Sequence, residues 1–232
     1  MKKLLALSLM INLILILGIS VAVNRVGGLQ YTIYRFRHGE SGMYSHRKSL
    51  FERMPDQPGA TIFLGDSEIE QGEWQEMFAD RPHVLNRGIS GDNAEGVWKR
   101  LAEVMRHKPQ KVFLEIGIND LFHDEPPADI EKRYRDIVQK IRREQPGGQL
   151  CLLSILPVNT DIRSLKTDNA SIQAFNARIA QIAKEFALPY VDLYNQLTDA
   201  SGMLSAQFTE DGIHLNGLGY SVWKKQLEPY LP

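Results

Sequence analysis

The chain has 232 residues, of which 43% are hydrophobic and 24% are charged, and its formal net charge is −1. This composition is that of a folded protein with enough apolar side chains for one sizeable core. A charge this close to neutral lacks the basic excess that is typical of proteins that bind nucleic acids, so we expect no nucleic-acid partner. Cys151 is the single cysteine, which excludes an internal disulfide, and its apolar neighbours predict a buried, unreactive thiol.

The first residues differ sharply from the rest of the chain. Lys2 and Lys3 precede an uncharged, mostly apolar stretch, residues 4–23, which is long enough to cross a bilayer as a helix. The apolar region of a secretory signal is usually shorter, roughly 7–15 residues, which favours an uncleaved anchor. Cleavage after Ala22 stays open, because small residues precede that bond. We therefore predict that residues 1–23 form a membrane anchor or a signal segment.

The charges around this segment bear on its orientation. The two lysines favour a cytoplasmic N-terminus, but Arg25, Arg35 and Arg37 lie close on the other side, so the positive-inside rule gives little net bias. A start with two lysines before one apolar run is typical of export signals, and we expect the globular part to be periplasmic or otherwise extracytoplasmic. Glycines, prolines and mixed charges predict that residues 24–59 are a connector and that residues 60–232 form the globular domain.

Strands and helices alternate from Ala60 onwards. Short apolar runs predict strands at 61–64, 83–85, 112–116, 150–156 and 190–193. Apolar residues at three- and four-residue spacing predict helices at 130–141 and 172–186, and a last helix is predicted at 217–227. This alternation predicts a doubly wound, flavodoxin-like α/β domain, a three-layer sandwich around a parallel sheet of about five strands.

Glycine-containing turns follow three of these strands. Gly65-Asp66-Ser67 places a serine in a tight turn where its hydroxyl can face a cleft, although the same residues also make a good helix N-cap. Residues 88–93 let the main chain approach a ligand and present N–H groups to it. In the third turn, the amide of Asn119 can donate a hydrogen bond to a developing oxyanion. Each turn taken alone is also typical of a simple chain reversal.

A fourth motif precedes the last predicted helix. Asp211 stands three residues before His214 and can hold one ring N–H, which leaves the other ring nitrogen free to act as a base. A surface loop is the alternative for such a pair. We expect no metal site, because no second histidine or cysteine lies at ligand spacing. The glycine spacing fits neither a phosphate-binding loop nor a dinucleotide site, and we predict no cofactor.

The topology of a doubly wound sheet brings these motifs together. Open α/β sheets bind ligands at the carboxyl ends of their strands, and in the common order 2-1-3-4-5 the first strand lies between the second and the third. Ser67 then lies centrally, with Gly91 and Asn119 on either side, and His214 can return from the C-terminal loop to activate it. The pattern therefore predicts a nucleophile between two oxyanion donors.

Together the four motifs resemble the sequence blocks of the GDSL/SGNH hydrolase superfamily, which is named after a serine, a glycine, an asparagine and a histidine. The resemblance covers residues 60–230 in the order of the family. The blocks read Phe63-Leu64-Gly65-Asp66-Ser67, Asn86-Arg87-Gly88-Ile89-Ser90-Gly91-Asp92, Gly117-Ile118-Asn119-Asp120 and Asp211-Gly212-Ile213-His214-Leu215-Asn216. The first block departs mildly from the family pattern, because Glu68-Ile69 follows the serine. We expect this departure to change the lining of the pocket and not the catalytic atoms.

The resemblance implies a role for each residue. Ser67 would be the nucleophile, His214 the base and Asp211 the carboxylate that orients it. The backbone N–H groups of Ser67 and Gly91, with the side-chain amide of Asn119, would form the oxyanion hole. The implied reaction is the transfer of an acyl group from an ester to water.

Three further stretches narrow the resemblance. Residues 88–92, 108–114 and 154–158 look most like the branch that contains the catalytic subunits of platelet-activating-factor acetylhydrolase. That branch implies hydrolysis of small acyl esters, acetyl esters above all. The implied partner is a small-molecule, carbohydrate or lipid ester, besides the membrane that the N-terminal segment would contact.

Other functions stay open on the sequence alone. A lysophospholipase or thioesterase that takes longer acyl chains is the second choice among enzymes. Two alternatives are not enzymes: a catalytically silent binding protein on the same scaffold and a membrane-tethered assembly factor. The α/β-hydrolase fold is set aside, because its serine turn needs a glycine where Ile69 stands. The sequence predicts no oligomeric state.

Overall fold

The structure is a computed structural model, which describes residues 2–25, 27–38, 41–81 and 83–231. Its internal contacts divide the chain into two compact units, Met1–His46 and Arg47–Pro232. Within the described residues, the first unit holds two complete helices and the start of a third, and the second unit holds the sheet.

The first unit begins with a long apolar helix. Helix α1 (Lys2–Arg25) has 24 residues, none of them buried, and an 18-residue stretch of it has a mean hydropathy of 2.6. At about 1.5 Å per residue it is long enough for the roughly 30 Å hydrocarbon core of a bilayer. A membrane span and a signal sequence share this character, so the helix agrees with both alternatives for the N-terminal segment. Helix α2 (Gly28–His38) follows, and α3 (Ser41–Arg53) continues into the second unit.

One parallel sheet forms the centre of the second unit. Its strands are β1 (Thr61–Gly65), β2 (Val84–Gly88), β3 (Lys111–Glu115), β4 (Gln149–Leu153) and β5 (Tyr190–Val191). They pair in the order β2-β1-β3-β4-β5, and every pair is parallel. This is the order that the sequence predicts.

Helices pack on both faces of the sheet. They are α4 (Ser67–Gln71), α5 (Trp74–Met77), α6 (Ala94–Met105), α7 (Ile118–Phe122), α8 (Pro127–Glu144), α9 (Asn169–Glu185), α10 (Tyr194–Leu197) and α11 (Gly217–Leu227), with 3-10 turns at Ala206–Phe208 and Glu228–Tyr230. Successive residues of a strand face opposite sides. Ile62 and Leu64 therefore join the core against α6, α8 and α9, whereas Phe63 joins the core against α5 and α11. The predicted doubly wound three-layer sandwich is confirmed.

Some predicted elements have shifted ends, for reasons that lie in tertiary contacts. Strand β2 runs three residues beyond the predicted 83–85, because its polar residues find partners in the fold. The amide of Asn86 donates to the carbonyl of Ile69 at 2.9 Å, and Arg87 pairs with Glu103 at 3.0 Å. Strands β4 and β5 end earlier than predicted, whereas α8 and α9 begin three residues earlier.

The register of the strands aligns the candidate residues at one edge of the sheet. Gly65, the last residue of β1, lies opposite Gly88 of β2 and Glu115 of β3. The serine, glycine and asparagine of the first three blocks follow these positions within a few residues. They therefore leave the sheet at the same level, at the carboxyl ends of its strands.

Candidate active site

The serine block forms a tight turn from β1 into α4. Asp66 caps the helix, because its Oδ1 accepts the N–H of Glu68 at 3.2 Å, and Ser67 is the first helical residue. A Cβ atom at Gly65 would lie 2.1 Å from the main-chain oxygen of Glu115. Only glycine therefore allows β1 to run this close to β3 where the chain turns into the serine.

A chain of hydrogen bonds joins three of the predicted residues. His214 Nε2 lies 3.1 Å from Ser67 Oγ, and His214 Nδ1 lies 2.7 Å from Asp211 Oδ2. A neutral imidazole has one N–H group, and a carboxylate beside Nδ1 keeps the proton there. Nε2 is then free to accept the proton of the serine hydroxyl. The structure thus brings Ser67, His214 and Asp211 together in the order that nucleophilic catalysis needs.

Asp211 is ionised at physiological pH. Partial burial raises its pKa, but hydrogen bonds from the His214 ring and from the N–H groups of Ile213 and His214 outweigh burial and lower the pKa to about 2. Its Oδ1 accepts those two N–H groups at 3.0 and 2.8 Å. A permanent carboxylate at this place can stabilise the imidazolium that forms when His214 takes a proton.

The loop that carries the histidine depends on a glycine and on Asn159. Gly212 has a φ of +81°, and a Cβ atom there would lie 2.7 Å from the main-chain oxygen of Asn159. The N–H of Asn159 donates to Gly212 at 2.8 Å, and its side-chain amide donates to the carbonyl of Leu204 at 2.8 Å. The segment after β4 therefore holds residues 211–214 in place.

The glycine and asparagine blocks meet beside the serine block. Gly91 has a φ of +78°, a conformation that favours glycine. Asn119 Nδ2 donates to the main-chain oxygen of Asp92 at 2.9 Å, and an amide nitrogen has a second N–H left for a ligand. Within the part of the chain that the structure describes, the backbone N–H groups of Ser67 and Gly91 donate to no protein acceptor. All three groups are therefore free to donate to a developing oxyanion.

A buried ion pair fixes the glycine turn. Arg100 Nε donates to Asp92 Oδ2 at 2.7 Å, and both side chains are buried. Arg100 Nη2 also donates to the main-chain oxygens of Gly65 at 3.0 Å and Arg87 at 2.9 Å. One side chain thus ties the ends of β1 and β2 to the turn that carries Gly91. Donors held in this way need no reorganisation when charge develops during a reaction.

Three carboxyl groups are buried at the serine turn. Asp66, Glu68 and Glu115 are each at most 3% exposed. Among the described residues, neither oxygen of either glutamate has a hydrogen-bond partner. Burial raises the pKa of all three groups, and the charge of Asp66 raises the pKa of both glutamates further. The expectation that Glu68 and Ile69 line the pocket is wrong, since both lie in the interior.

Comparison with known proteins gives this site a family. Residues 57–222 match the model of the GDSL-like lipase/acylhydrolase family. This segment is well over half of the chain. The chain belongs to that family. It is 27% identical over 186 residues to platelet-activating factor acetylhydrolase IB subunit alpha1 of Rattus norvegicus, with 77% of each chain covered. It is 29% identical over 164 residues to thioesterase 1/protease 1/lysophospholipase L1 of Escherichia coli K12, with 68% of this chain and 73% of that protein covered.

A solved structure extends the likeness to the fold. A Streptococcus pneumonia protein, provisionally described as a platelet activating factor, matches with a TM-score of 0.74 and 29% identity, covering 88% of this chain and 97% of that one. The predicted resemblance to the GDSL/SGNH hydrolases, with its likeness to the platelet-activating-factor branch, is confirmed. So is the predicted enzyme class, a GDSL-type carboxylic ester hydrolase.

Several residues that build this hydrolase site were not predicted from the sequence. Asn159 had a signal that could have been used, because it follows the end of a strand as the other motifs do. Tyr220 had none: its hydroxyl donates to the main-chain oxygen of Glu68 at 2.7 Å, across a separation of 152 residues. The pairing of Arg100 with Asp92 is likewise visible only in the fold.

Two further side-chain predictions concern metals and the single thiol. Among the described residues, no three histidine, cysteine, aspartate or glutamate side chains are grouped so that they could hold a metal ion. Cys151 is 2% exposed, as predicted, and burial raises the pKa of its thiol to about 12. It is therefore a structural residue of β4, since a reactive cysteine needs a thiolate.

Proposed function

We propose that this GDSL-family hydrolase is a serine esterase that removes short acyl groups, acetyl above all, from carbohydrate or lipid esters. Ser67 is the nucleophile, His214 the general base and Asp211 the carboxylate that orients it. The observation that carries the proposal is the unbroken chain of contacts from Asp211 to His214 at 2.7 Å and from His214 to Ser67 at 3.1 Å.

The proposed reaction has two halves. Ser67 Oγ attacks the ester carbonyl carbon while His214 Nε2 accepts the hydroxyl proton, and the backbone N–H groups of Ser67 and Gly91 with the Asn119 amide donate to the oxyanion. The bond to the alcohol then breaks, and the leaving oxygen takes the proton from His214. Water attacks the acyl-serine in the same way, giving a proton to His214, and the acid leaves as Ser67 recovers its proton.

Replacement of the nucleophile tests the mechanism. We expect Ser67→Ala to abolish hydrolysis of p-nitrophenyl acetate and labelling by a fluorophosphonate probe, with an unchanged melting temperature. Ser201→Ala is the matched control, since Ser201 is exposed and its hydroxyl donates to Asp199. Turnover by Ser67→Ala at the wild-type rate would refute the esterase mechanism. A wild-type protein that neither hydrolyses nor is labelled would favour a silent binding protein on the same scaffold.

The acyl preference rests on the rat relative, which is named an acetylhydrolase. We expect kcat/KM to be highest for acyl chains of two to four carbons. A series from two to sixteen carbons, run with sugar, lipid and thioester leaving groups, measures both sides of the ester. A maximum at eight carbons or more would overturn the acetyl preference.

A second candidate, a lysophospholipase or thioesterase for longer chains, is favoured by a groove of about 570 Å³. Met77, Leu215 and Tyr220 are among its lining residues, and Leu215 directly follows His214. The Escherichia coli relative is named for these two activities. If this groove holds the acyl chain, Met77→Trp lowers kcat/KM for long chains and leaves acetyl esters unaffected. Leu218→Trp, at a position that is 53% exposed, is the matched control.

The compartment is a separate proposal. We propose that α1 stays attached as a membrane anchor and that the hydrolase domain lies outside the cytoplasm. Mass spectrometry of the membrane fraction is expected to find the intact N-terminus, and a protease added outside the inner membrane is expected to cleave the domain. A soluble protein that begins at Val23 would instead establish signal cleavage after Ala22.

A further inference from the structure

We propose that Arg47 and Glu70 are positioning residues that hold the turn at Ser90 and Gly91 in the shape that aims the Gly91 N–H at the oxyanion. This inference rests on the function proposed above. Arg47 is ten residues outside the segment 57–222 that matches the family, so the contact comes from a part of the chain that the family domain does not include.

The two side chains hold the turn from both sides of Ile89. Arg47 Nε donates to the main-chain oxygen of Gly88 at 2.6 Å and lies 3.4 Å from Glu70 Oε1. The other carboxylate oxygen, Glu70 Oε2, accepts the N–H of Ser90. One ion pair therefore links the residue before Ile89 to the residue after it, and Gly91 follows directly.

The rest of the fold fixes Arg47 itself. Its guanidinium lies 5.1 Å from the ring centre of Phe51, which is 4% exposed, and Arg87 lies 4.6 Å from the same ring. Arg106 Nη2 donates to the main-chain oxygen of Phe51 at 2.7 Å. The end of α3 is thus attached to the domain, and a cation between an aromatic ring and a carbonyl has few other positions.

The two halves of the turn depend on different contacts. On the side that follows Gly91, the buried pair of Asp92 and Arg100 fixes the chain. On the side that precedes it, Ser90 is exposed, and its N–H donates to Glu70 Oε2. Loss of the ion pair of Arg47 and Glu70 therefore frees the first half of the turn and leaves the second half in place. The expected effect is a misdirected N–H group in a folded protein.

A partly exposed ion pair contributes little to stability, so stability is not the expected readout. The side chains of Arg47 and Glu70 are 28% and 22% exposed. Arg47 and Glu70 each also bind the main chain of the turn, whereas the residues of an ordinary surface ion pair make no such main-chain contact. The expected effect is therefore on kcat, since an oxyanion donor acts in the transition state and not on the bound ester.

The experiment compares Arg47→Met, Arg47→Lys, Glu70→Gln and the control Lys48→Met in the full-length protein. Lys48 is the next residue of α3, with a side chain that is 40% exposed and paired with Glu52 at 3.6 Å. We expect Arg47→Met and Glu70→Gln to lower kcat about tenfold, less than the roughly 10²–10³ for removal of a donor, with KM unchanged. Arg47→Lys is expected to recover part of the loss, and Lys48→Met to equal the wild type.

Two further measurements separate this inference from the esterase mechanism. Backbone hydrogen exchange of residues 88–93 is expected to accelerate in Arg47→Met and not in Lys48→Met, whatever the substrate. The double variant of Arg47 and Glu70 is expected to lose no more activity than the larger single loss, because both residues act through one contact. Unchanged exchange, or additive losses, or an effect on KM alone would overturn the inference. Failure of the esterase mechanism itself is read separately, from Ser67→Ala.

Discussion

Tyr220 donates its hydroxyl hydrogen bond to the main-chain oxygen of Glu68 at 2.7 Å and so joins α11 to the helix that begins at Ser67. Tyr220 is 9% exposed, and its ring lies 5.9 Å from Trp74 and 5.9 Å from Trp223. The proposed base and the proposed nucleophile come from opposite ends of the domain sequence. This contact can help to set the distance between them.

We therefore expect Tyr220→Phe to lower kcat severalfold while KM stays unchanged. The ring packing is kept, and only the hydroxyl that links α11 to α4 is lost. The free energy of unfolding is expected to fall by about 0.5–1.5 kcal/mol, the usual net contribution of one hydrogen bond. Tyr194→Phe is the control away from the site, since it also keeps the ring and removes a hydroxyl, which donates to Gly202 at 3.2 Å and accepts from Gln173 at 2.9 Å. Equal effects of both variants on kcat would show that Tyr220 has no special link to the site.

Asp211→Asn tests the proposed role of this carboxylate, which is to orient His214. The amide oxygen can still accept the N–H groups of Ile213 and His214, so the loop is expected to keep its shape. The amide N–H group cannot accept from His214 Nδ1, and the ring is then driven to the other tautomer, with its proton facing Ser67. We expect kcat to fall by at least about 10², up to the roughly 10⁴ found for the same change in a Ser-His-Asp triad.

The pH profile of the wild type gives a second test of Asp211. Its pKa is lowered to about 2, so the carboxylate loses its charge only near that pH. Any contribution of Asp211 to stability is present above its usual pKa of 3.8 and is lost as the pH falls through about 2. If the wild type shows an acid limb of kcat/KM between pH 4 and 9, we expect Asp211→Asn to show that limb as well. A limb in this range that the variant lacks would contradict a permanently ionised Asp211.

Asn119→Ala tests the proposed side-chain donor of the oxyanion hole. Removal of one such donor costs roughly 10²–10³ in kcat, and we expect a loss of that size with little change in KM. Asn119 also donates to Asp92 at 2.9 Å, so the melting temperature must be measured alongside. Asn195→Ala, which removes an exposed side-chain amide that donates to Asp192 Oδ2, is expected to keep full activity. A loss below tenfold for Asn119→Ala would remove this residue from the oxyanion hole.

The fold could be predicted because its signals are local. Each strand is a short apolar run, and the spacing of apolar residues in α8 reports the face that packs on the sheet. The end of β2 could not be predicted, because Asn86 and Arg87 are polar and are tolerated only through partners distant in sequence. The strand order followed from a general rule of doubly wound sheets and not from any residue.

The candidate site could be predicted to the level of its motifs and no further. Ser67, His214 and Asp211 lie in short blocks whose chemistry is readable, and the structure brings these three side chains within hydrogen-bond distance. The residues that hold those blocks, such as Tyr220 and Arg100, act through contacts that close long loops of chain. Patterns of residues that are close in sequence do not predict such long-range contacts. The burial of Glu68 was missed for the same reason.

The buried carboxyl groups predict how stability depends on pH. Burial raises the pKa of Glu115 above its usual 4.5, and the charges of Asp66 and Glu68 raise it further. The folded protein therefore keeps a proton on Glu115 that the unfolded chain has already released. The stability that Glu115 contributes is complete below pH 4.5 and falls as the pH rises towards the folded pKa, by at most about 1.4 kcal/mol per pH unit.

Glu115→Gln keeps the shape of the side chain and removes this titration. We expect the variant to gain stability relative to the wild type as the pH rises from 5 to 8, as measured by urea unfolding at each pH. Glu144→Gln, at a position with a side chain that is 36% exposed, is expected to show no such trend. The contributions of other titrating groups to stability cancel when the variant and the wild type are compared at the same pH. A difference that shrinks or stays flat with rising pH would mean that Glu115 is ionised in the folded protein, and that a cation or water compensates its charge.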